Sequence, residues 1–125
     1  MYAEIKEMYS LDIDGSLENY SPKDIYYFEL ELNLVVGIAG QKGGDLFRII
    51  VCSSKWINDR IINENIIFGR GLLIVHEYNY NLIQEKLAKY IYTCSGNSWN
   101  TIASKIAKVC YWEFDDYSSS QYNLI

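Results

Sequence analysis

The sequence is poor in the residues that most chemistry depends on. His76 is its only histidine, and its three cysteines, Cys52, Cys94 and Cys110, are odd in number and widely spaced. A disulfide framework uses paired cysteines in a short secreted chain, so these three read as reduced, mostly buried small hydrophobes. Structural zinc draws on a close Cys or His pair that pre-forms half of the tetrahedron. The nearest two candidates, Cys94 and Cys110, are sixteen positions apart, and no metal or other cofactor is expected. One histidine between Val75 and Glu77 at a strand end is a structural residue, not half of a nucleophile–base pair. The glycine-rich stretch Gly40-Gln41-Lys42-Gly43-Gly44 has no Gly-Lys-Ser/Thr opening a helix, so it is a hairpin connection rather than a phosphate loop. No catalytic residue is assigned, and the chain is not expected to be an enzyme.

Other absences bound the class. There is one proline and no apolar run near the roughly 18 residues of a membrane span. The opening residues Met1-Tyr2-Ala3-Glu4-Ile5-Lys6-Glu7 alternate charge with apolar side chains and lack the form of a secretory signal. Cytoplasmic residence is therefore the expectation. With 125 residues, half of them apolar and 22% charged, the chain has the size and composition of one folded domain.

What is present is acid, unevenly placed. Residues 1–31 carry eight carboxylates against Lys6 and Lys23, and residues 109–125 carry Glu113, Asp115 and Asp116 with no base. Residues 82–108 hold four lysines against Glu85 alone. The net charge is −5. Such a field repels nucleic acid and anionic lipid and steers a basic partner inward. The plainer alternative is that these charges only keep the protein soluble.

Hydropathy changes period along the chain. Over 2–13, Ala3, Ile5, Tyr9, Leu11 and Ile13 alternate with polar residues as in a half-buried strand, with a bulge or exposed edge at Glu7. Turn residues fill 14–24. Over 26–38, Tyr26, Phe28, Leu30, Leu32, Leu34, Val36 and Ile38 face one way and Glu29, Glu31 and Asn33 the other. A return strand follows at 46–52, with Arg48 placed to pair with Glu29 or Glu31. Residues 54–67 suit a short helical turn. A strand over 70–77 has a centre, Leu72-Leu73-Ile74-Val75, that is apolar on both faces and predicts a central position. From residue 81 the period is 3.6. One helix is expected over 81–95, capped by Asn81 with Gln84 and stopped by a left-handed Gly96. Another is expected over 98–110, capped by Ser98, with Trp99, Ile102 and Ile106 on its apolar stripe. Period two returns at 111–116 with Trp112 and Phe114 inward, and 118–125 reads as a loose tail. Strands followed by helices imply one α+β domain over 1–125, with an antiparallel sheet of four to five strands and two adjacent C-terminal helices on one face.

Twelve tyrosines and three tryptophans complete the inventory. Trp99 and Trp112 read as core anchors. Tyr2, Tyr20, Tyr27, Tyr78, Tyr80, Tyr117 and Tyr122 fall near loops or on polar faces, where tyrosine suits a protein interface.

Several segments together carry a family resemblance: Ala3-Glu4-Ile5-Lys6-Glu7, Val51-Cys52-Ser53-Ser54-Lys55-Trp56 and Leu73-Ile74-Val75-His76-Glu77-Tyr78-Asn79. They are joined by Cys94-Ser95-Gly96-Asn97-Ser98-Trp99 and Tyr111-Trp112-Glu113-Phe114-Asp115-Asp116-Tyr117. In order and spacing they resemble the bacterial immunity protein 8 family, from residue 3 to about 117. The resemblance implies an immunity protein of a polymorphic toxin system, which is no enzyme and neutralises a toxin domain by binding it. Many such toxins are nucleases with basic faces. Acid at both ends of the chain then makes Glu4, Asp12, Asp14, Glu18, Glu113, Asp115 and Asp116 the candidate partner-binding residues, provided the first and last strands lie near each other. The competing reading is a small-ligand-binding or regulatory α+β domain that uses the cleft between sheet and helices.

Overall fold

A computed structural model describes residues 1–115. The tail expected over 118–125, together with Asp116, Tyr117 and Tyr122, lies outside the described residues. The strands are β1 (Ala3–Tyr9), β2 (Glu29–Ile38), β3 (Asp45–Ser53), β4 (Leu72–Val75) and β5 (Tyr111–Trp112). The helices are α1 (Ser54–Glu64), α2 (Tyr80–Thr93) and α3 (Trp99–Ile106).

β3 organises the sheet. On one side it pairs antiparallel with β2, which pairs antiparallel with β1. On its other side Ile50–Ser53 run parallel to β4, while Phe47 and Arg48 pair antiparallel with β5. The domain is α+β, as expected. Its core forms because period-two strands gather most of their large apolar residues on one face. Leu30, Leu32 and Leu34 stand opposite Val51, Ile49 and Phe47, each at most 2% exposed. Ile83, Leu87 and Ile91 of α2 and Ile102, Ala103 and Ile106 of α3 close over them in one cluster. Full burial of each such aliphatic side chain contributes about 1.5–3 kcal/mol.

Local chemistry fixes the helix starts. Ser53 Oγ accepts from the Trp56 N–H at α1, Asn79 Oδ1 from Leu82 N–H at α2, and Ser98 Oγ from Thr101 N–H at α3. Ser53 also accepts from the Phe28 N–H at 3.2 Å and is fully buried. The same hydroxyl thus caps α1 and ties it to the entry of β2.

Several expectations need correction. β4 is an edge strand, and its pairing with β3 is parallel. Leu73 and Val75 pack against the core, while α1, the crossover that parallel neighbours need, lies against the strand and leaves Ile74 53% exposed. Residues 54–64 make an 11-residue helix rather than a turn. α2 is capped by Asn79, not Asn81, and ends at Thr93 with Cys94 as its cap. Gly96 is not among the residues with positive φ. α3 ends at Ile106, and residues 107–110 continue as turns. The bulge expected at Glu7 is present, as a register shift in β1 between Ile5 and Glu7; its effect on the residues that follow was not anticipated. That bulge reverses the alternation, so Met8 turns inward while Tyr9 joins the opposite face, and Leu11 is 82% exposed. β5 spans only two residues, and Phe114 is exposed, its ring edge-on to Trp112.

Candidate functional site

The face of the sheet turned away from α2 and α3 is covered by α1 beside β4 and the end of β3, burying Cys52, and is open over the rest of β1–β3; cross-strand register orders it into rows. Residues directly opposite one another share a face. Across β1, β2, β3 and β5 runs Tyr9, Asn33, Arg48, Tyr111. Beside it lies Glu7, Val35, Leu46, and on the other side Glu31, Ile50, Leu72. Glu4 and Glu29 stand at opposite ends, opposite Gly37 and Cys52. Arg48 reaches Glu31 at 3.5 Å as an exposed pair, a contact worth well under about 1 kcal/mol. Glu7 and Glu29 form no ion pair or side-chain hydrogen bond among the described residues.

A shallow groove of about 290 Å³ runs beside Glu31, Arg48, Ile50, Tyr111 and Asp115. A second, of about 160 Å³, shares Ile50 and Tyr111 and continues to Arg70 and Phe68. Tyr111 forms the wall between them. Its ring lies 4.6 Å from the Arg70 guanidinium, and its hydroxyl donates to the Arg70 carbonyl at 3.2 Å. Glycine is required beneath it: Gly71 has φ +79, and a Cβ there would sit 2.7 Å from Tyr111 Cδ2 and nearer still to Cε2. The segment between α1 and β4 then exposes Ile66 and Phe68 by 83% and 95%.

The carboxylates expected to bind a partner are divided by this arrangement. β1 and β5 are not neighbours; β2 and β3 lie between them, a separation of roughly 14 Å at the usual strand spacing. Four of the seven are occupied within the fold. Glu4 accepts from Lys6 Nζ and the Gly40 N–H, and the Lys6 hydrogen bond above all holds its carboxyl below the ordinary range. Asp12 accepts from the Glu31 N–H at 3.0 Å, continuing the β1–β2 edge past the end of β1. Glu113 accepts from the Leu46 N–H, closing the β3–β5 pairing. Asp115 accepts from the Trp112 N–H and pairs with Arg70 at 2.7 Å. Asp14 and Glu18 are exposed in the loop after β1. Glu29, Asn33, Arg48 and Phe68 were not singled out from sequence as site residues. The polar side of β2 was a visible signal for the first two, whereas nothing in the local pattern marked Phe68.

Among the tyrosines, Tyr27 is exposed and Tyr2 stacks on Tyr92 at 4.9 Å. Tyr20, Tyr78 and Tyr80 instead pack against the core. His76 is exposed at the end of β4, 5.5 Å from the Tyr26 ring. All three cysteines are free and buried, and burial pushes the Cys110 thiol up to about 12. Among the described residues no group of three or more His, Cys, Asp or Glu could hold a metal ion, and no helix is long and apolar enough to cross a membrane. The space between the sheet and the start of α2 is a gap of about 10 Å³ beside Leu30, Leu32 and Ile83, too small for a ligand. A roomier recess, about 430 Å³, is a surface groove beside β4 and the start of α2, with Ile74, Leu82 and Lys86 on its walls.

The profile of the family described as immunity protein 8 matches residues 3–117. No curated protein and no solved structure gives a significant match to the chain.

Proposed function

We propose that this chain, which belongs to the immunity protein 8 family, is the cytoplasmic antidote of a polymorphic toxin system and neutralises a cognate toxin domain by binding it. The observation that carries the proposal is the family match over nearly the whole chain. Physical features agree with it. The surface is acidic, with a net charge of −5, which favours a basic partner such as a nuclease, since a substrate-binding face built for phosphate attracts carboxylates. Inhibition then needs no chemistry from this chain: covering the toxin's active surface suffices. Binding also matches a fold whose polar side chains work mainly as caps and strand ties. The ligand-binding alternative loses support at the centre of the domain, where the gap between the sheet and the start of α2 is only about 10 Å³.

The test is co-expression with the toxin domain encoded in the adjoining gene. The chain should restore growth and co-elute with that domain in equal amounts. Growth arrest despite abundant folded protein would refute the proposal.

A further inference from the structure

Glu7, Glu29 and Glu31 project from the open sheet face; Glu31 pairs with Arg48, Glu29 lies in the field of Arg60 without a hydrogen bond to it, and Glu7 has no ion pair among the described residues. Acid alone would not make this a docking site, but two independent features lie on or beside the same surface. Asn33, in the middle of the sheet between Tyr9 and Arg48, is 5% exposed and its side-chain amide has no hydrogen-bond partner. No fully buried side-chain polar atom lacks a partner, so the amide tip is still open to solvent at the floor of the face. An amide held at the floor of a sheet face with its polar tip free is placed to hydrogen-bond a group that settles on that face. The second feature is apolar. Along the two grooves that share Ile50 and Tyr111, past Arg48, Arg60 and Arg70 on their walls, the open face leads to Phe68, almost fully exposed beside Ile66. Exposed large apolar side chains rimmed by charge are typical of protein-binding surfaces.

We infer that the toxin docks on the open face of β1–β3 and on the segment following α1. Glu7, Glu29 and Glu31 receive its basic side chains, the Asn33 amide accepts a hydrogen bond from one of them, and Phe68 enters an apolar recess of the partner. This rests on the immunity reading and adds the surface and its chemistry. The occupant is a protein with a basic, apolar-centred face. The net charge of −5 works against a polyanion or an anionic lipid surface. The groove beside β4 also offers an apolar surface at a free strand edge, but its polar side chains, His76, Glu77, Asn79 and Lys86, are all exposed, and none is a buried amide like Asn33.

The probe is the purified toxin domain encoded beside this chain's gene, rendered inactive by substitution in its own active site. Its affinity is measured for the wild-type chain, Glu7→Lys with Glu31→Lys, Phe68→Ser, Asn33→Asp, and Glu85→Lys on exposed α2 as a control. Thermal melts of each variant report folding. The paired reversal and Phe68→Ser should each weaken binding by about 100-fold or more with melting temperatures close to wild type, while Glu85→Lys binds as wild type. Asn33→Asp removes the amide's donor while keeping an acceptor, so it should bind at least as tightly. Full affinity in the two weakening variants, with a wild-type chain that binds, overturns the docking surface and leaves the immunity reading standing. A wild-type chain that does not bind overturns both.

Discussion

Gly71 makes the clearest demand on its surroundings, and Gly71→Ala is the sharpest probe of how the groove wall is built. An L-residue at φ +79 costs about 1–2 kcal/mol on backbone grounds alone. The new methyl would also overlap the Tyr111 ring, and the ring has to leave. Tyr111 then forfeits its hydrogen bond to the Arg70 carbonyl, about 1 kcal/mol, and its contact with the Arg70 guanidinium, about 0.5–1 kcal/mol at an exposed site. The expected total is roughly 2.5–4 kcal/mol. In a Tyr111→Ala background only the backbone cost of about 1–2 kcal/mol remains. Urea denaturation of the four proteins closes a double-mutant cycle, with an expected coupling of about 1.5–2 kcal/mol. Equal costs for Gly71→Ala in the two backgrounds would show that the ring does not press on Gly71, and the account of the groove wall would fail.

Four further outcomes are expected. Ile106→Ala, at a fully buried position under the sheet, should cost about 2–5 kcal/mol in chemical denaturation; loss of toxin protection at unchanged stability would make that stripe an interface instead. Asp45 Oδ2 accepts from the indole N–H of both Trp99 and Trp112, at 2.7 and 3.1 Å. Asp45→Ala should therefore destabilise by about 2–4 kcal/mol through two part-buried donors left unmet, and tryptophan fluorescence should shift with it. Ser53→Ala should cost about 1–2 kcal/mol, because it removes the α1 cap and leaves the Phe28 N–H without its side-chain acceptor. Finally, burial raises the Cys110 pKa to about 12, so the fold favours the thiol. Its contribution is intact below the unfolded thiol pKa of about 8.5 and is lost progressively as pH rises above it. Thiol titration of native protein near neutral pH should find no fast-reacting cysteine, and all three should react after denaturation.

Much of the fold was legible because long period-two and period-3.6 stretches are dominated by burial. β2 and β3 read correctly from Leu30 to Val51, and the stripe of α3 from Ile102 to Ile106 did too. What misled was local pattern with more than one tertiary cause. The apolar centre of β4 suggested a strand buried on both faces, but it lies at the sheet edge, with Leu73 and Val75 against the core and Ile74 exposed. The extra residue in β1 shifted every side chain after it by one face, so Tyr9 and Leu11 were assigned to the wrong side. α1 shows few apolar residues because its inward side is narrow, with Ile57 its one fully buried residue. The candidate binding face was half legible. Charge composition pointed to acid, but a net count does not separate carboxylates that tie strands together, such as Asp12 and Glu113, from those left unpaired, such as Glu7 and Glu29. Backbone pairing decides that, and pairing is long-range.

Carboxyl footprinting of the complex tests the central claim most directly. The chain would be labelled with a carbodiimide and an amine, alone and bound to the toxin domain from the adjoining gene, and each acid read by peptide mass spectrometry. Binding through the open sheet face predicts that labelling of Glu7, Glu29 and Glu31 falls sharply in the complex while Glu85 on α2 is unaffected. Protection confined to α2, or no protection of any carboxylate in a mixture at saturating toxin, would contradict the account.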